Sequence, residues 1–270
     1  MAAAPPSIVL MGAGRMGAAL ARGWLNAKPK RKIAVIEPKP SDEIAAWAEA
    51  GKIVLNPQPS PAAIVVLAVK PQQFAGVSET ALGFTGPKTL AVSIMAGVRI
   101  MQIARRLDTQ RILRAMPNTP GSIGQGITVF SAPAGLASED LDAARALLAP
   151  LGDVEGPVDE NLMSAVTALS GSGPAYLFLL AETMAEAGES EGLPRALAQR
   201  LARRTVEGAA ALMAASGDDP EALRRAVTSP GGTTQAALDI LMDTGGMPRL
   251  LRDAIRAAAA RDRQLSKEAD

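Results

Sequence analysis

Residues 8–20, Ile-Val-Leu-Met-Gly-Ala-Gly-Arg-Met-Gly-Ala-Ala-Leu, hold the pattern that decides the fold of this 270-residue chain. An apolar run predicts a β-strand, the spacing G-x-G-x-x-G follows it, and a helical pattern begins directly afterwards. Gly12 permits a tight turn, Gly14 lets a pyrophosphate approach the backbone, and Gly17 allows the helix to pack closely on the strand. The helix N-terminus then faces the anion. We therefore predict a dinucleotide-binding loop here, rather than an ordinary turn between strand and helix.

The ends of the other predicted strands complete a candidate cofactor site. Glu37 follows Gly17 by 20 residues, where an acid usually binds the adenosine ribose diol and repels a 2′-phosphate. Lys39 and Ser41 follow closely and could instead serve such a phosphate, so NADH and NADPH both stay open. Glu37 could also be a surface acid, Lys70 a solvated lysine, and Asn118 part of a rigid turn. The predicted cofactor-binding residues are Gly12, Ala13, Gly14, Arg15, Met16, Gly17, Glu37, Ala68, Val69, Lys70, Pro71, Ala96, Gly97 and Asn118.

The periodicity of the chain changes once, and the change predicts two domains. Up to residue 158, near-continuous apolar strands alternate with helices, which is typical of a parallel sheet covered on both faces. Beyond it, only helical patterns follow. We expect an α/β fold with a Rossmann-type doubly wound sheet in residues 1–158, followed by an all-helical substrate-binding and dimerisation domain in residues 159–270. The predicted strands are Ile8–Met11, Ile33–Ile36, Ile53–Leu55, Ile64–Val69, Thr89–Ile94, Ile112–Met116 and Thr128–Phe130.

Composition excludes several classes of function. The chain has no histidine and no cysteine, so a His general base, a thiolate nucleophile and His or Cys zinc sites are ruled out, and we expect no metal. A net charge of +1 and 3% aromatic residues argue against nucleic acid. The start, Met1-Ala-Ala-Ala-Pro-Pro6, lacks signal-peptide features, and the longest apolar run is Ala62–Val69. We therefore expect a cytoplasmic protein without a membrane partner.

The stretch Ser229-Pro-Gly-Gly-Thr-Thr234 lies between two helical patterns and predicts a second ligand site. Its adjacent glycines can expose consecutive backbone N–H groups to a small anion. We assign substrate binding to the polar and glycine residues of this loop, with Thr234 as the candidate catalytic residue. Thr234 could also act simply as the N-cap of the helix beginning at Gln235. The predicted substrate-binding residues are Ser229, Gly231, Gly232, Thr233 and Thr234.

Taken together, these motifs resemble the Δ1-pyrroline-5-carboxylate reductase family over essentially the whole chain. The resemblance implies NAD(P)H-dependent reduction of a cyclic imine to L-proline, the last step of proline biosynthesis. It also implies a homodimer that can assemble into a homodecamer, with substrate near the nicotinamide and Thr234 near the ring nitrogen. The motifs that carry it are Gly12-Ala-Gly-Arg-Met-Gly17, Ala68-Val-Lys-Pro71, Met116-Pro-Asn-Thr-Pro120, Leu169-Ser-Gly-Ser-Gly-Pro-Ala-Tyr176, Gly192-Leu-Pro194 and Val227-Thr-Ser-Pro-Gly-Gly-Thr-Thr234.

Imine reduction suits a chain without His or Cys, because an iminium carbon is already electrophilic and orientation against the nicotinamide supplies much of the rate.

Three other functions are alternatives to this reaction. A β-hydroxyacid dehydrogenase would need a lysine on a helix of the second domain, where none precedes Lys267. Reduction of a six-membered cyclic imine stays open. A non-catalytic dinucleotide sensor is disfavoured, since Ser229, Thr233 and Thr234 keep the loop polar.

Overall fold

The computed structural model describes residues 7–27 and 31–268, and its central feature is a mixed sheet of eight strands. They lie side by side in the order β3-β2-β1-β4-β5-β6-β7-β8. Strands β1 to β6 run parallel, β7 is antiparallel to β6, and β8 is parallel to β7. The strands are β1 (Ile8–Met11), β2 (Ile33–Ile36), β3 (Val54–Leu55), β4 (Ile64–Leu67), β5 (Leu90–Ser93), β6 (Ile112–Met116), β7 (Gly126–Ser131) and β8 (Gly152–Val158). The first six strands have the order of a Rossmann sheet, which confirms the predicted fold class.

Helices alternate with these strands and then continue alone. No strand follows Val158 among the described residues. A π-helical turn, Thr167–Gly171, separates α6 from α7. The helices are α1 (Arg15–Asn26), α2 (Asp42–Glu49), α3 (Phe74–Leu82), α4 (Ile100–Ala104), α5 (Ser138–Leu148), α6 (Met163–Val166), α7 (Gly173–Ser190), α8 (Arg195–Ser216), α9 (Pro220–Ala226), α10 (Thr233–Leu241) and α11 (Met247–Glu268).

The sheet is buried on both faces because β1 and β4 are apolar at every position and β5 departs from this only at Ser93. Ile8 and Leu10 of β1 enter one apolar layer with Trp24 of α1. Val9, between them, enters the opposite layer with Phe74 of α3. Each such side chain, fully buried, contributes about 1.5–3 kcal/mol. Because successive apolar side chains point to opposite faces, helices pack on both sides of the sheet. The carboxyl ends of its parallel strands lie together at one edge.

The chain forms two compact units. The first runs to Gly171 and includes the segment from Ala258 onward; the second is Ser172–Ala257. The division predicted at residue 158 follows the last strand, whereas α6 and the π-helical turn belong to the first unit. Residues 1–6, expected to lack a signal peptide, lie outside the described residues.

One helical stretch, Glu160–Ser190, is long and apolar enough to cross a membrane by length and composition. Its mean hydropathy reaches 1.3, and 22% of that window is buried. The sequence predicts no membrane partner because its uninterrupted apolar runs are short. In this stretch, Ser170, Gly171 and Ser172 interrupt the apolar run. Exposed apolar side chains concentrate on α7, where Phe178 is 70% exposed and Leu179 is 58% exposed.

Candidate active site

The glycine-rich loop after β1 has the close contacts that its spacing predicts. Gly12 has φ +92°, and a Cβ there would lie 2.8 Å from Val69 Cγ1 and 2.9 Å from the Ala68 carbonyl oxygen. A Cβ on Gly17 would collide with the Gly12 carbonyl. Gly14 faces open space and is the N-cap of α1, without a side-chain capping bond. The loop thus presents the first backbone amides of α1 next to open space, an arrangement that suits the binding of a phosphate.

Glu37 lies at the end of β2 and reaches back to this loop. Its Oε2 accepts a hydrogen bond from the Ala13 amide at 2.9 Å, and its Oε1 accepts one from the Lys39 amide at 3.1 Å. Asn56 holds the Glu37 backbone from the next strand, accepting from its N–H at 2.9 Å and donating to its carbonyl at 3.1 Å. The carboxylate is therefore fixed beside the loop instead of moving as a free surface acid.

The remaining predicted cofactor residues follow neighbouring strands at the same edge. Ala68 and Val69 follow β4 and pack against Gly12. Lys70 is exposed, and its amide donates to Gln73 Oε1 at 3.3 Å to open a short 3₁₀ turn beginning at Pro71. Ala96 and Gly97 follow β5, and Asn118 follows β6. Gly97 has φ +74°, a backbone conformation that favours glycine, and it packs on Leu265 of α11. The structure thus gathers the cofactor set within the first unit.

The loop Ser229–Thr234 lies in the second unit and opens α10. Gly231 has φ +71° and Gly232 is the N-cap, with its amide donating to the Ser229 carbonyl at 3.0 Å. The first turn of α10 holds no acidic residue. The alternative role of Thr234 as N-cap is wrong, because α10 begins one residue earlier, at Thr233. Thr234 is instead the second residue of the helix and half-buried.

A buried charge cluster joins β6 to α11 within the first unit. Arg114 of β6 is 3% exposed; its guanidinium lies 3.6 Å from Glu160 and 3.8 Å from Asp262 of α11. Burial lowers the pKa of Arg114, and the two carboxylates oppose that shift. Asp262 is also 3% exposed, and neither of its carboxylate oxygens has a hydrogen-bond partner within bonding geometry among the described residues. We infer that Arg114 neutralises the place where α11 returns to the sheet.

Sequence reasoning missed two residues that shape this edge. Asn56 has φ +47°, the left-handed conformation that asparagine tolerates best among residues with a side chain. Its position between a strand and Pro57 was the available signal. Ser170 belongs to a motif of the family resemblance but to none of the predicted sites, and its hydroxyl accepts a hydrogen bond from Asn118 Nδ2 at 3.3 Å. Nothing local in the sequence predicts that partner, which lies 52 residues away.

Comparison with known proteins agrees with this geometry. Residues 160–265 match the family model described as pyrroline-5-carboxylate reductase dimerisation, and residues 7–97 match that of NADP oxidoreductase, coenzyme F420-dependent. A pyrroline-5-carboxylate reductase of Pseudomonas aeruginosa is 37% identical over 97% of this chain and 98% of its own. The structure of the Coxiella burnetii enzyme superposes with a TM-score of 0.84 at 33% identity, covering 97% and 99% of the two chains. The Plasmodium falciparum enzyme, with NADP bound, gives 0.77 at 26%, covering 97% and 98%.

A Rossmann sheet with this glycine loop, followed by a helical unit, defines a dinucleotide-dependent oxidoreductase. Within that class, the helical unit and the similarity over nearly the whole chain identify one family. The chain belongs to the pyrroline-5-carboxylate reductase family.

Proposed function

We propose that this protein uses a nicotinamide dinucleotide to reduce Δ1-pyrroline-5-carboxylate to L-proline. Hydride passes from the dihydronicotinamide to the imine carbon, and the ring nitrogen ends protonated. The observation that carries the proposal is the pairing of an open glycine loop at the N-terminus of α1 with a family match over the helical unit. When bound, the dinucleotide supplies the hydride. The residues of this chain hold, orient and enclose the reactants.

The loop before α10 suits the carboxylate of this substrate. Thr233, Thr234 and Gln235 begin α10, and their amides have no partner within the helix. The positive end of the helix dipole adds to their attraction for an anion. We propose that Ser229, Gly231, Gly232 and Thr233 bind the carboxylate, and that the Thr234 hydroxyl hydrogen-bonds the ring nitrogen directly or through water.

The position of Glu37 favours NADH over NADPH. Its carboxylate is held 2.9 Å from the Ala13 amide, inside the loop that would receive the adenosine half of the cofactor. A negative charge fixed there repels a 2′-phosphate and can accept from a ribose 2′-hydroxyl. Lys39 donates its amide to the same carboxylate at 3.1 Å, which supports a role for its backbone beside Glu37. We propose NADH as the preferred donor, with NADPH also used.

Self-association follows from the family of the helical unit, and we propose a homodimer that can build a homodecamer. A second subunit would cover the exposed apolar residues of α7, among them Phe178 and Leu179. This accounts for an apolar stretch of spanning length without a membrane, and we propose a cytoplasmic location.

The test is a pair of assays with purified protein. NADH and NADPH oxidation is followed by the loss of the near-ultraviolet absorbance of the reduced nicotinamide, at about 0.1 mM cofactor, within the usual KM range. The substrate is pyrroline-5-carboxylate or its six-membered analogue. We expect turnover with the five-membered imine, with kcat/KM higher for NADH. Turnover of the six-membered imine alone would contradict the proposed substrate, and no turnover of either would contradict the proposed reaction.

A further inference from the structure

Asn118 makes two side-chain hydrogen bonds that join three parts of the first unit. Its Oδ1 accepts from the Ile127 amide at 3.0 Å, and its Nδ2 donates to Ser170 Oγ at 3.3 Å. A backbone N–H can only donate, so the carboxamide oxygen faces Ile127 and the amino group faces Ser170. The loop after β6, the start of β7 and the π-helical turn therefore meet at one side chain.

Two glycines allow this junction to close. A Cβ on Gly126 would lie 2.7 Å from Asn118 Oδ1, and a Cβ on Gly171 would lie 2.5 Å from Met116 Cε. The Cβ on Gly126 would also lie 2.6 Å from the Gly121 amide nitrogen, so the backbone of the loop would have to move. Met116 Cε is the end of a flexible side chain, which would have to turn aside to admit a Cβ on Gly171. Close packing thus accompanies the two hydrogen bonds, and Asn118 has three close neighbours: Ile127, Ser170 and Gly126.

The junction lies between two functional segments of the chain. Residues 117–120 follow β6 at the edge where the predicted cofactor-binding residues gather. Ser170 lies in the π-helical turn, which ends the first unit one residue before the second begins at Ser172. Such turns are irregular and occur often at functional sites. A second bond, from Thr167 Oγ1 to the Met163 carbonyl at 2.9 Å, helps fix the turn.

We propose that Asn118 and Ser170 are positioning residues for hydride transfer. Their hydrogen bond fixes the cofactor-edge loop against the turn from which α7 starts, so the loop cannot shift when the dinucleotide binds. The proposal rests on the proposed imine reduction. Hydride transfer is sensitive to placement, and a displacement of about 1 Å can cost on the order of 100-fold in rate. Dinucleotide affinity is spread over many contacts and should change much less.

The experiment compares Ser170→Ala, Asn118→Leu and their combination in the full-length protein. We measure kcat and KM for pyrroline-5-carboxylate, and the Kd of the preferred dinucleotide by quenching of tryptophan fluorescence. Each single change should lower kcat about tenfold, and Ser170→Ala, which lies outside the predicted cofactor-binding set, should keep the Kd within about twofold of wild type. Because both changes break the same bond, the double variant should be no slower than the slower single variant.

Two serine variants separate positioning from general stability. Ser170→Thr keeps the hydroxyl and should retain kcat within about twofold. Ser122→Ala alters an exposed serine of the 3₁₀ turn after Asn118 and should match wild type. This serine set decides the question even where Asn118→Leu fails to fold.

Three results would overturn the positioning role: Ser170→Ala as active as Ser122→Ala, multiplicative losses in the double variant, or a Kd that rises while kcat holds. Each is distinct from failure of the proposed function. A wild-type protein that oxidises neither dinucleotide with pyrroline-5-carboxylate contradicts the reaction itself. An active wild type with an unimpaired Ser170→Ala contradicts only the role of this hydrogen bond.

Discussion

At the scale of the residue, Glu37 illustrates how one carboxylate can hold a loop by hydrogen bonds and still present its charge to the proposed cofactor. It accepts from the Ala13 and Lys39 amides, which leaves its negative charge beside the helix N-terminus. A second anion at that position would meet direct repulsion.

Glu37→Gln should therefore shift cofactor selectivity toward NADPH. Glutamine keeps a carbonyl oxygen for the Ala13 amide but removes the charge. We expect the ratio of kcat/KM for NADPH to that for NADH to rise about tenfold, equivalent to about 1.4 kcal/mol. Steady-state kinetics with both cofactors measures it, and Glu49→Gln, at an exposed acid ending α2, is the matched control. Equal effects on both cofactors would show that Glu37 does not read the ribose.

Thr234→Ala tests the residue assigned to the ring nitrogen. Loss of one orienting or transition-state hydrogen bond should lower kcat by about 10- to 1000-fold. Thr234 is not the N-cap of α10, so the helix should keep its capping residue, Gly232, in this variant. Far-ultraviolet circular dichroism checks the fold, and Thr234→Ser should recover most of the activity. A folded alanine variant with wild-type turnover would exclude the role.

The cofactor loop could be predicted residue by residue because its constraints are local. Gly12 takes φ +92° in the turn between β1 and α1, and Gly17 packs on the Gly12 carbonyl, so the spacing of the glycines records contacts within one strand, turn and helix. The further contacts of Gly12 with Ala68 and Val69, after β4, are not recorded there. The partners of Asn118 could not be predicted, since Ile127 and Ser170 reach it only through the folded sheet. The sequence predicts the N-cap of α10 two residues too late, at Thr234 instead of Gly232, because glycine and threonine both suit that position.

At the scale of the element, β6 and α11 depend on a buried ion cluster. Arg114 is nearly covered, and the carboxylates of Glu160 and Asp262 lie within 4 Å of its guanidinium. Removing one member of such a cluster leaves the others charged in a low-dielectric environment. The resulting loss of stability should weaken the attachment of α11 to the sheet.

Arg114→Met should lower the free energy of unfolding by about 3–5 kcal/mol, the range for breaking a buried ion pair. Urea denaturation followed by circular dichroism measures the loss. Arg114→Met combined with Asp262→Leu should regain part of it, because the unpaired carboxylate is removed. Asp108→Asn, at an exposed acid of the same unit, is the control and should stay within about 0.5 kcal/mol. A near-neutral Arg114→Met would contradict the role of the cluster.

Sequence periodicity predicted most elements but missed α3 and β8. Gly152–Val158 contains two glycines and a proline, which locally resemble a loop. Pairing with β7 makes it a strand nonetheless, and its residues alternate between half-buried and exposed. Phe74–Leu82 lacks a capping side chain at its start, so its helical pattern gave a weak signal. In both cases tertiary contacts override local propensity.

At the scale of the whole molecule, the exposed apolar side chains of α7 are the surface that we propose a second subunit covers. Phe178→Glu places a charge where 70% of the side chain is exposed. We expect dissociation to monomers and loss of most turnover, because a charge buried without a partner opposes association. Light scattering coupled to gel filtration, with activity measured on each peak, tests this. Leu82→Glu, at a 48% exposed leucine of α3, should stay dimeric, and a dimeric Phe178→Glu would move the interface elsewhere.

The path of α11 has a consequence for how the molecule can be cut and rebuilt. The second unit begins at Ser172 and ends at Ala257, within α11, and the remainder of that helix belongs to the first unit. The second unit is thus an insertion with two covalent attachments. A protease that cleaves at one attachment leaves the units joined through the other, so excision requires both cuts. New chain ends made by circular permutation at residues 171 and 172 would spare the insertion's link through α11.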